Sequence, residues 1–354
     1  MILDFGHSLT DVPRLREGDF LQSLISAICQ RCYNISQAVK VEYWHIYKYR
    51  YHKPTSFAVV IGCKVTWNDG AGSHRLKLFI GAASNDSKLR AYHNLNWLRA
   101  HGFDQGDLQV IKPIVYLQDL KALVYEASEG QTLYWHLKRR PSYEQLLGPL
   151  LLSARWLQKL HQITASDLPP TMSANNDQSI IKSLRRAQEK YQSLSPEQGE
   201  KITSVLTAIH SFLPSHDTST SLIYGDYHPE NIILHQLDTH RLIMIDLSDV
   251  TLGNPYRDVG TFVQQFDFMS QPWLLRPDIN NLKRYFVEQY TGKDFAQIKT
   301  EHIRLINLYQ AMTAVRSSVW LFEPESRRVS LELLDDARLL VAKVAADEHS
   351  INLR

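Results

Sequence analysis

Residues 224–258 read YGDYHPENIILHQLDTHRLIMIDLSDVTLGNPYRD. Two apolar, strand-like pieces, IILH and RLIMID, flank the polar turn QLDTH, so the stretch is expected to form a hairpin. A hairpin would bring Asp226 and Asn231, before its first strand, near Asp246 at the end of its second. Hard oxygen ligands of this kind suit magnesium, which prefers carboxylate, amide, water and phosphate oxygens. Phosphoryl transfer asks a protein mainly for positioning and charge neutralisation, with one carboxylate free to take the incoming hydroxyl's proton. Single Asp and Asn residues are usually turn and capping residues. What is specific here is their order around two strands, followed by GNPYRD.

The rest of the chain sets broad bounds. Its 354 residues can bury a large core and are expected to divide into two lobes. With 44% apolar residues and a mean hydropathy of −0.28, the composition is that of an ordinary globular protein. Lys and Arg number 39 against 37 Asp and Glu, so bulk charge favours neither nucleic acid nor a membrane surface as a partner. The longest apolar runs fall short of a bilayer span, and the acidic N-terminus does not resemble a signal peptide; a cytoplasmic location is expected. Cys29 and Cys32 form a CxxC, but with Cys63 the only other thiol they are read as helical positions rather than a redox or metal site.

Leu21, Leu24, Ile25 and Ile28 recur at helical spacing near the N-terminus. From about Val39 to Ile80 the runs VEYWHIYKYRYH, SFAVVIGCKVTW and HRLKLFIGA are rich in β-branched and aromatic residues, and HKPT and NDGAGS between them read as turns, which favours an antiparallel sheet. A helix, SKLRAYHNLNWLRAHGF, and two more strands, VIKPIVYL and KALVYEA, follow. Beyond ASEGQTL the pattern is largely helical, apart from an exposed loop expected over residues 165–180. The expected fold class is therefore α+β, with a small sheet lobe over residues 1–127 and a larger, mainly helical lobe over 128–354.

The segments YGDYHPENII, MIDLSD and GNPYRDVG together resemble the aminoglycoside phosphotransferase and choline kinase group, small-molecule kinases with a protein-kinase-like two-lobe fold. The resemblance implies that Asp226 is the catalytic base, that His228 orients its loop, that Asn231 and Asp246 hold magnesium, and that Asp258 braces the loop from within. It also implies ATP as the phosphoryl donor. On the nucleotide side it points to Lys77 on the third strand as the phosphate cation, with Lys64 as a rival, and to the carbonyl of Glu126 and the N–H of Ser128 at the adenine edge. Lys48, Arg50 and Lys53 could serve phosphates or form a solvated basic turn. Leu160 and His161 match the Leu-His that closes a long helix of the larger lobe, where His161 is structural.

Four departures from the group's pattern stand out. Tyr224 replaces a histidine and Leu247 an aromatic residue, and there is no glycine-rich phosphate loop. Most notably, the helix after the strands contains no acid to hold a strand lysine, Asp86 just before it being the nearest candidate. Trp135, Tyr256, Trp273 and Trp320 are candidate walls for an acceptor site, and Glu323, Glu325, Asp335 and Asp336 could receive a polyamine. These features are expected to serve a kinase that phosphorylates a hydroxyl of a small molecule, with a catalytically silent kinase-like module that binds nucleotide or acts through protein contacts as the alternative. A protein or lipid kinase is disfavoured, because too few residues separate Asp246 from Asp258 for an activation segment.

Overall fold

The computed structural model describes residues 1–163, 168–169, 172, 177–212, 220–323 and 325–353. The loop expected over 165–180 falls mostly outside them. The chain divides into two compact units: Met1–Glu129 with Ile243–Asp249, and Gly130–Leu242 with Val250–Arg354. Sequence placed the divide between 127 and 128, and assigned residues 243–249 to the second lobe.

The first unit contains β1 (Ile2–Leu3), α1 (Gly18–Tyr33), β2 (Lys40–Lys53), β3 (Ser56–Asp69), β4 (Gly72–Ala83), α2 (Ser87–Leu98), β5 (Leu108–Val110), β6 (Pro113–Leu117) and β7 (Ala122–Glu126). Six of these strands form one sheet in the order β1-β6-β7-β4-β3-β2. The expected antiparallel meander is present, with an addition: β1 lies parallel to β6, pairing Ile2 with Tyr116 and Leu3 with Leu117. The N-terminal helical stripe is buried, since Leu21, Leu24, Ile25 and Ile28 of α1 pack in one core with Val59, Ile61, Leu78 and Ile80 of the sheet. Fully burying such side chains is worth about 1.5–3 kcal/mol each, so α1 is an integral layer of this unit. Cys29 and Cys63 share that core as free thiols, and burial pushes them up to about 11 and about 12 respectively, away from reactive thiolate.

The second unit contains β8 (Gln131–Thr132), α3 (Leu133–Leu137), α4 (Tyr143–His161), α5 (Asp177–Leu194), α6 (Pro196–Phe212), β9 (Ser221–Ile223) and β10 (Ile232–Leu234), while β11 (Leu242–Met244) begins at its last residue before the divide and runs into the first unit. It continues through β12 (Thr251–Gly253), α7 (Tyr256–Ser270), α8 (Arg276–Thr291), α9 (Thr300–Trp320) and α10 (Arg327–Ala345). Ser142 caps α4 in a capping box with Gln145, which fixes where the helix begins. Helices α5, α6, α9 and α10 share an apolar core that includes Tyr191, Ile202, Leu308 and Leu333. Helix α7 is buried along nearly its whole length, and its Asp267 accepts hydrogen bonds from Lys283 at 2.6 Å and Arg276 at 2.7 Å. Among the described residues no helix is long and apolar enough to cross a membrane.

Candidate active site

In the second unit, the segment entering the catalytic stretch is short. Strand β9 pairs with β12, Leu222 opposite Leu252, and the chain then turns at Gly225, whose φ of 87° lies in the left-handed region that favours glycine. The turn is fixed by Asp258 near the start of α7. Its two carboxylate oxygens accept the backbone N–H of Tyr224 at 2.6 Å and of Gly225 at 2.8 Å. His161 at the end of α4 reaches the same carboxylate at 3.0 Å and Tyr290 Oη at 2.8 Å. Asp258 is fully buried, so these bonds compensate a charge that would otherwise be costly to bury.

Apolar packing holds the loop from beneath. Tyr224 and Tyr227 are fully buried against Trp156 of α4, and the Tyr227 hydroxyl donates to the Ser153 carbonyl at 2.9 Å. The aromatic Tyr224, standing where the group carries a histidine, is thus a packing residue. Pro229–Asn231 forms a single helical turn that begins at His228. Asn231 donates its amide N–H to the Asp226 carbonyl at 3.1 Å, and its side chain lies 3.0 Å from His228 Nε2.

Asp226 itself is half-buried, with His228 Nε2 3.3 Å from one carboxylate oxygen and the Arg316 guanidinium on the other. Burial alone would raise its pKa, but the hydrogen bond from His228 and the charge of Arg316 outweigh it and hold the carboxyl well below its ordinary value of 3.8. The group is therefore a carboxylate over the whole physiological range. Arg316 stands on α9, ninety positions along the chain, and no local motif marks it.

In the first unit, Asp246 adopts φ 55°, an uncommon conformation for a residue other than glycine and one in which Asp is tolerated. Its segment is held by side chains of α2. Lys88 Nζ lies 3.4 Å from Asp246 Oδ1, Arg90 Nε 3.4 Å from the Ser248 carbonyl, and the buried Asn94 donates to the Leu247 carbonyl at 2.8 Å. Leu247 is fully buried. The acid-free helix is accordingly in contact with the Asp246 segment, through basic and amide groups.

The expected lysines fall elsewhere. Lys64 and Lys77 face one another across β3 and β4; Lys64 pairs with Glu42 at 3.0 Å, and the exposed Lys77 lies 5.8 Å from the Phe79 ring. Asp86 pairs with Lys121 at 3.0 Å. Glu126 ends β7, its side chain paired with Lys112 at 2.7 Å and its N–H donated to the Lys112 carbonyl at 2.9 Å. Ala127 N–H binds the Lys77 carbonyl at 2.8 Å, and Ser128 follows with its hydroxyl donated to the Glu129 carbonyl at 3.0 Å. Lys48, Arg50 and Lys53 are exposed on β2.

The candidate acceptor residues are dispersed in character. Tyr256 is tied to His302 at 2.6 Å, Trp135 lies under Arg139, Trp273 is half-buried, and Trp320 is 74% exposed. Of the acids, Asp335 pairs with Lys201 at 2.7 Å, and Glu323 and Glu325 are exposed. Among the described residues no three His, Cys, Asp or Glu side chains gather as a metal cluster.

These arrangements have parallels in known proteins. The sequence model of the phosphotransferase enzyme family matches residues 65–297, more than half of the chain, and takes in Asp226, Asn231, Asp246 and Asp258. The chain belongs to the phosphotransferase enzyme family. Its fold is likewise that of solved family kinases: an aminoglycoside-3'-phosphotransferase of type VIII aligns at TM-score 0.52 and 17% identity over 82% of this chain and 99% of that one. An aminoglycoside phosphotransferase in a ternary complex with streptomycin and ATP aligns at 0.55 and 14%, over 92% and 98%. A spectinomycin phosphotransferase with ADP and spectinomycin gives 0.55 and 12%, over 92% and 98%. No curated protein matches the sequence. Within the family, the α+β kinase-like fold expected from the sequence is the fold observed.

Proposed function

We propose that this phosphotransferase moves the γ-phosphoryl group of ATP, with magnesium, to a hydroxyl of a small molecule such as a sugar, an amino alcohol or an aminoglycoside. The observation that carries the reading is the environment of Asp226: an ionised carboxylate on a loop whose backbone is fixed by buried Asp258, with His228 and Arg316 aimed at its oxygens. Asp226 would orient the acceptor hydroxyl and accept its proton as the phosphoryl group departs from the nucleotide. His228 would hold the carboxylate in place, and the bond from Asn231 to the Asp226 carbonyl would keep base and amide in a fixed relation. Asn231 and Asp246, both hard oxygen donors, would hold magnesium, which when bound neutralises phosphate charge. The Glu126 carbonyl and Ser128 N–H would meet the adenine edge, as the family resemblance implies.

The test is γ-phosphoryl transfer from ATP across a panel of sugars, amino alcohols and aminoglycosides, run with wild-type protein and Asp226→Asn. The substitution is expected to lower kcat by about 10²–10⁴ on the best acceptor, the usual contribution of a positioned general base, with the melting temperature little changed. Full activity in Asp226→Asn would remove Asp226 as the base. A silent kinase-like module is separated by thermal shift: wild-type protein whose stabilisation by ATP shows no dependence on magnesium favours the silent module.

A further inference from the structure

We propose that Lys88, at the start of α2, is the cation that holds the nucleotide's phosphates, in place of the strand lysine expected at 77. The inference rests on the nucleotide half of the function proposed above. Alternate residues of β4 point to opposite sides of the sheet, so Leu78 and Ile80 enter the core while Lys77, Phe79 and Gly81 share the other face. Along that face the strand carries no side chain at 81, and the space is taken by the stem of Lys88: a Cβ built on Gly81 would lie 3.6 Å from Lys88 Cε and 3.9 Å from Cδ. An alanine methyl at 81 would stand in van der Waals contact with it.

The stem so laid across the strand delivers its ammonium 3.4 Å from Asp246 Oδ1, and the Lys88 side chain retains 21% of its exposure. The head is thus accessible, anchored by packing along its length, and next to a carboxylate proposed to bind the metal that accompanies phosphates. That is where a phosphate-binding cation is needed. Lys77 has a different setting. It is exposed, its ammonium 5.8 Å from the Phe79 ring, while Lys64 is paired with Glu42.

The same geometry accounts for the missing helix acid. A strand lysine needs a helix carboxylate to hold it in place, whereas a lysine on the helix is held by its own backbone and by Gly81. A glutamate on α2 would then only compete with Asp246 for Lys88. The first turn of α2 contains no acid, and Asp86 before it is engaged by Lys121. The neighbouring groups that α2 turns toward the 246–248 segment are Arg90 and Asn94, neither of them an acid.

The experiment measures binding of magnesium ATP and of adenosine to wild-type protein, Lys88→Met, Lys88→Arg and Lys77→Met by calorimetry. Lys88→Met is expected to weaken ATP at least about tenfold, the factor for one lost charge-assisted contact, and to leave adenosine within about twofold. Lys88→Arg recovers most of the ATP affinity, and Lys77→Met shifts it less than about threefold. Unchanged adenosine binding also certifies that each variant is folded; should Lys88→Met unfold, Lys88→Gln takes its place with the same expectation. Wild-type-like ATP binding in Lys88→Met, or a larger loss in Lys77→Met, overturns the assignment of Lys88 alone. Wild-type protein that binds neither ligand overturns the nucleotide reading itself, and this one with it.

Discussion

The loop around Asp226 and the segment around Asp246 carry the same kind of residue and are held in opposite ways. Asp258, which braces the first, is fully buried and bonded to two backbone N–H groups and to His161, while Tyr224 and Tyr227 fill the space beneath the loop. Asp246 sits on the surface of its unit with 48% of its side chain exposed, in a left-handed backbone, and is met by the flexible side chain of Lys88. One region is fixed by backbone bonds that tolerate little change. The other is held by side chains of α2, with Lys88 on the Asp246 carboxylate and Arg90 and the buried Asn94 on the carbonyls of Ser248 and Leu247.

The sharpest way to break this contrast is to substitute Asp258. In Asp258→Asn an amide N–H₂ would face backbone N–H donors that now meet a carboxylate oxygen, and buried donors would lose their acceptor. The expected cost is about 3 kcal/mol or more, two charge-assisted bonds at roughly 1.5–3 kcal/mol each, read as a lowered urea midpoint, together with loss of transfer activity. A variant as stable as wild type would show that the loop does not depend on its buried brace.

The same contrast explains what could be read from the residues alone. Asp226, Asn231 and Asp258 lie within one short stretch because a tight turn, a helical turn and a helix start must follow one another in space; local chemistry and sequence spacing are there the same constraint. The sheet and the helical stripe of α1 were legible for a similar reason, since burial imposes its period on contiguous residues. Arg316 was not, because its approach to Asp226 depends on how α9 packs within the second unit, and a lysine-free, acid-free rule marks no arginine in a helix. Lys88 left a fainter trace. A lysine in the first turn of a helix that lacks its expected acid was visible, but its reach depends on Gly81 being bare, a contact that sequence spacing does not encode. The two-residue strand β1 was likewise invisible, being too short for any alternation to show.

A smaller effect is expected from Arg316→Ala. Burial pushes the Asp226 carboxyl upward, and His228 with Arg316 holds it below 3.8; without the guanidinium the balance moves toward protonation. Because a lowered carboxylate pKa keeps the base ionised as pH falls, raising it makes activity disappear sooner on acidification. The acid limb of kcat/KM is expected to move up by about one pH unit, the low end of what a neighbouring opposite charge contributes, and Arg316→Lys should restore most of it. Coincident pH profiles for wild type and Arg316→Ala would mean that the arginine does not set the ionisation of the base.

The smallest expected change in stability is also the most discriminating for the nucleotide side. The Lys88–Asp246 pair leaves 21% and 48% of its side chains exposed, so solvent screens it and its removal should alter the unfolding free energy by no more than about 1 kcal/mol. Lys88→Met should therefore unfold in urea within that margin of wild type, far less affected than Asp258→Asn, even while its affinity for ATP falls. A loss as large as that of Asp258→Asn would put Lys88 among the structural braces instead. The weakened ATP binding would then follow from a displaced α2 and Asp246 segment rather than from a missing phosphate contact, and adenosine binding would fall along with it.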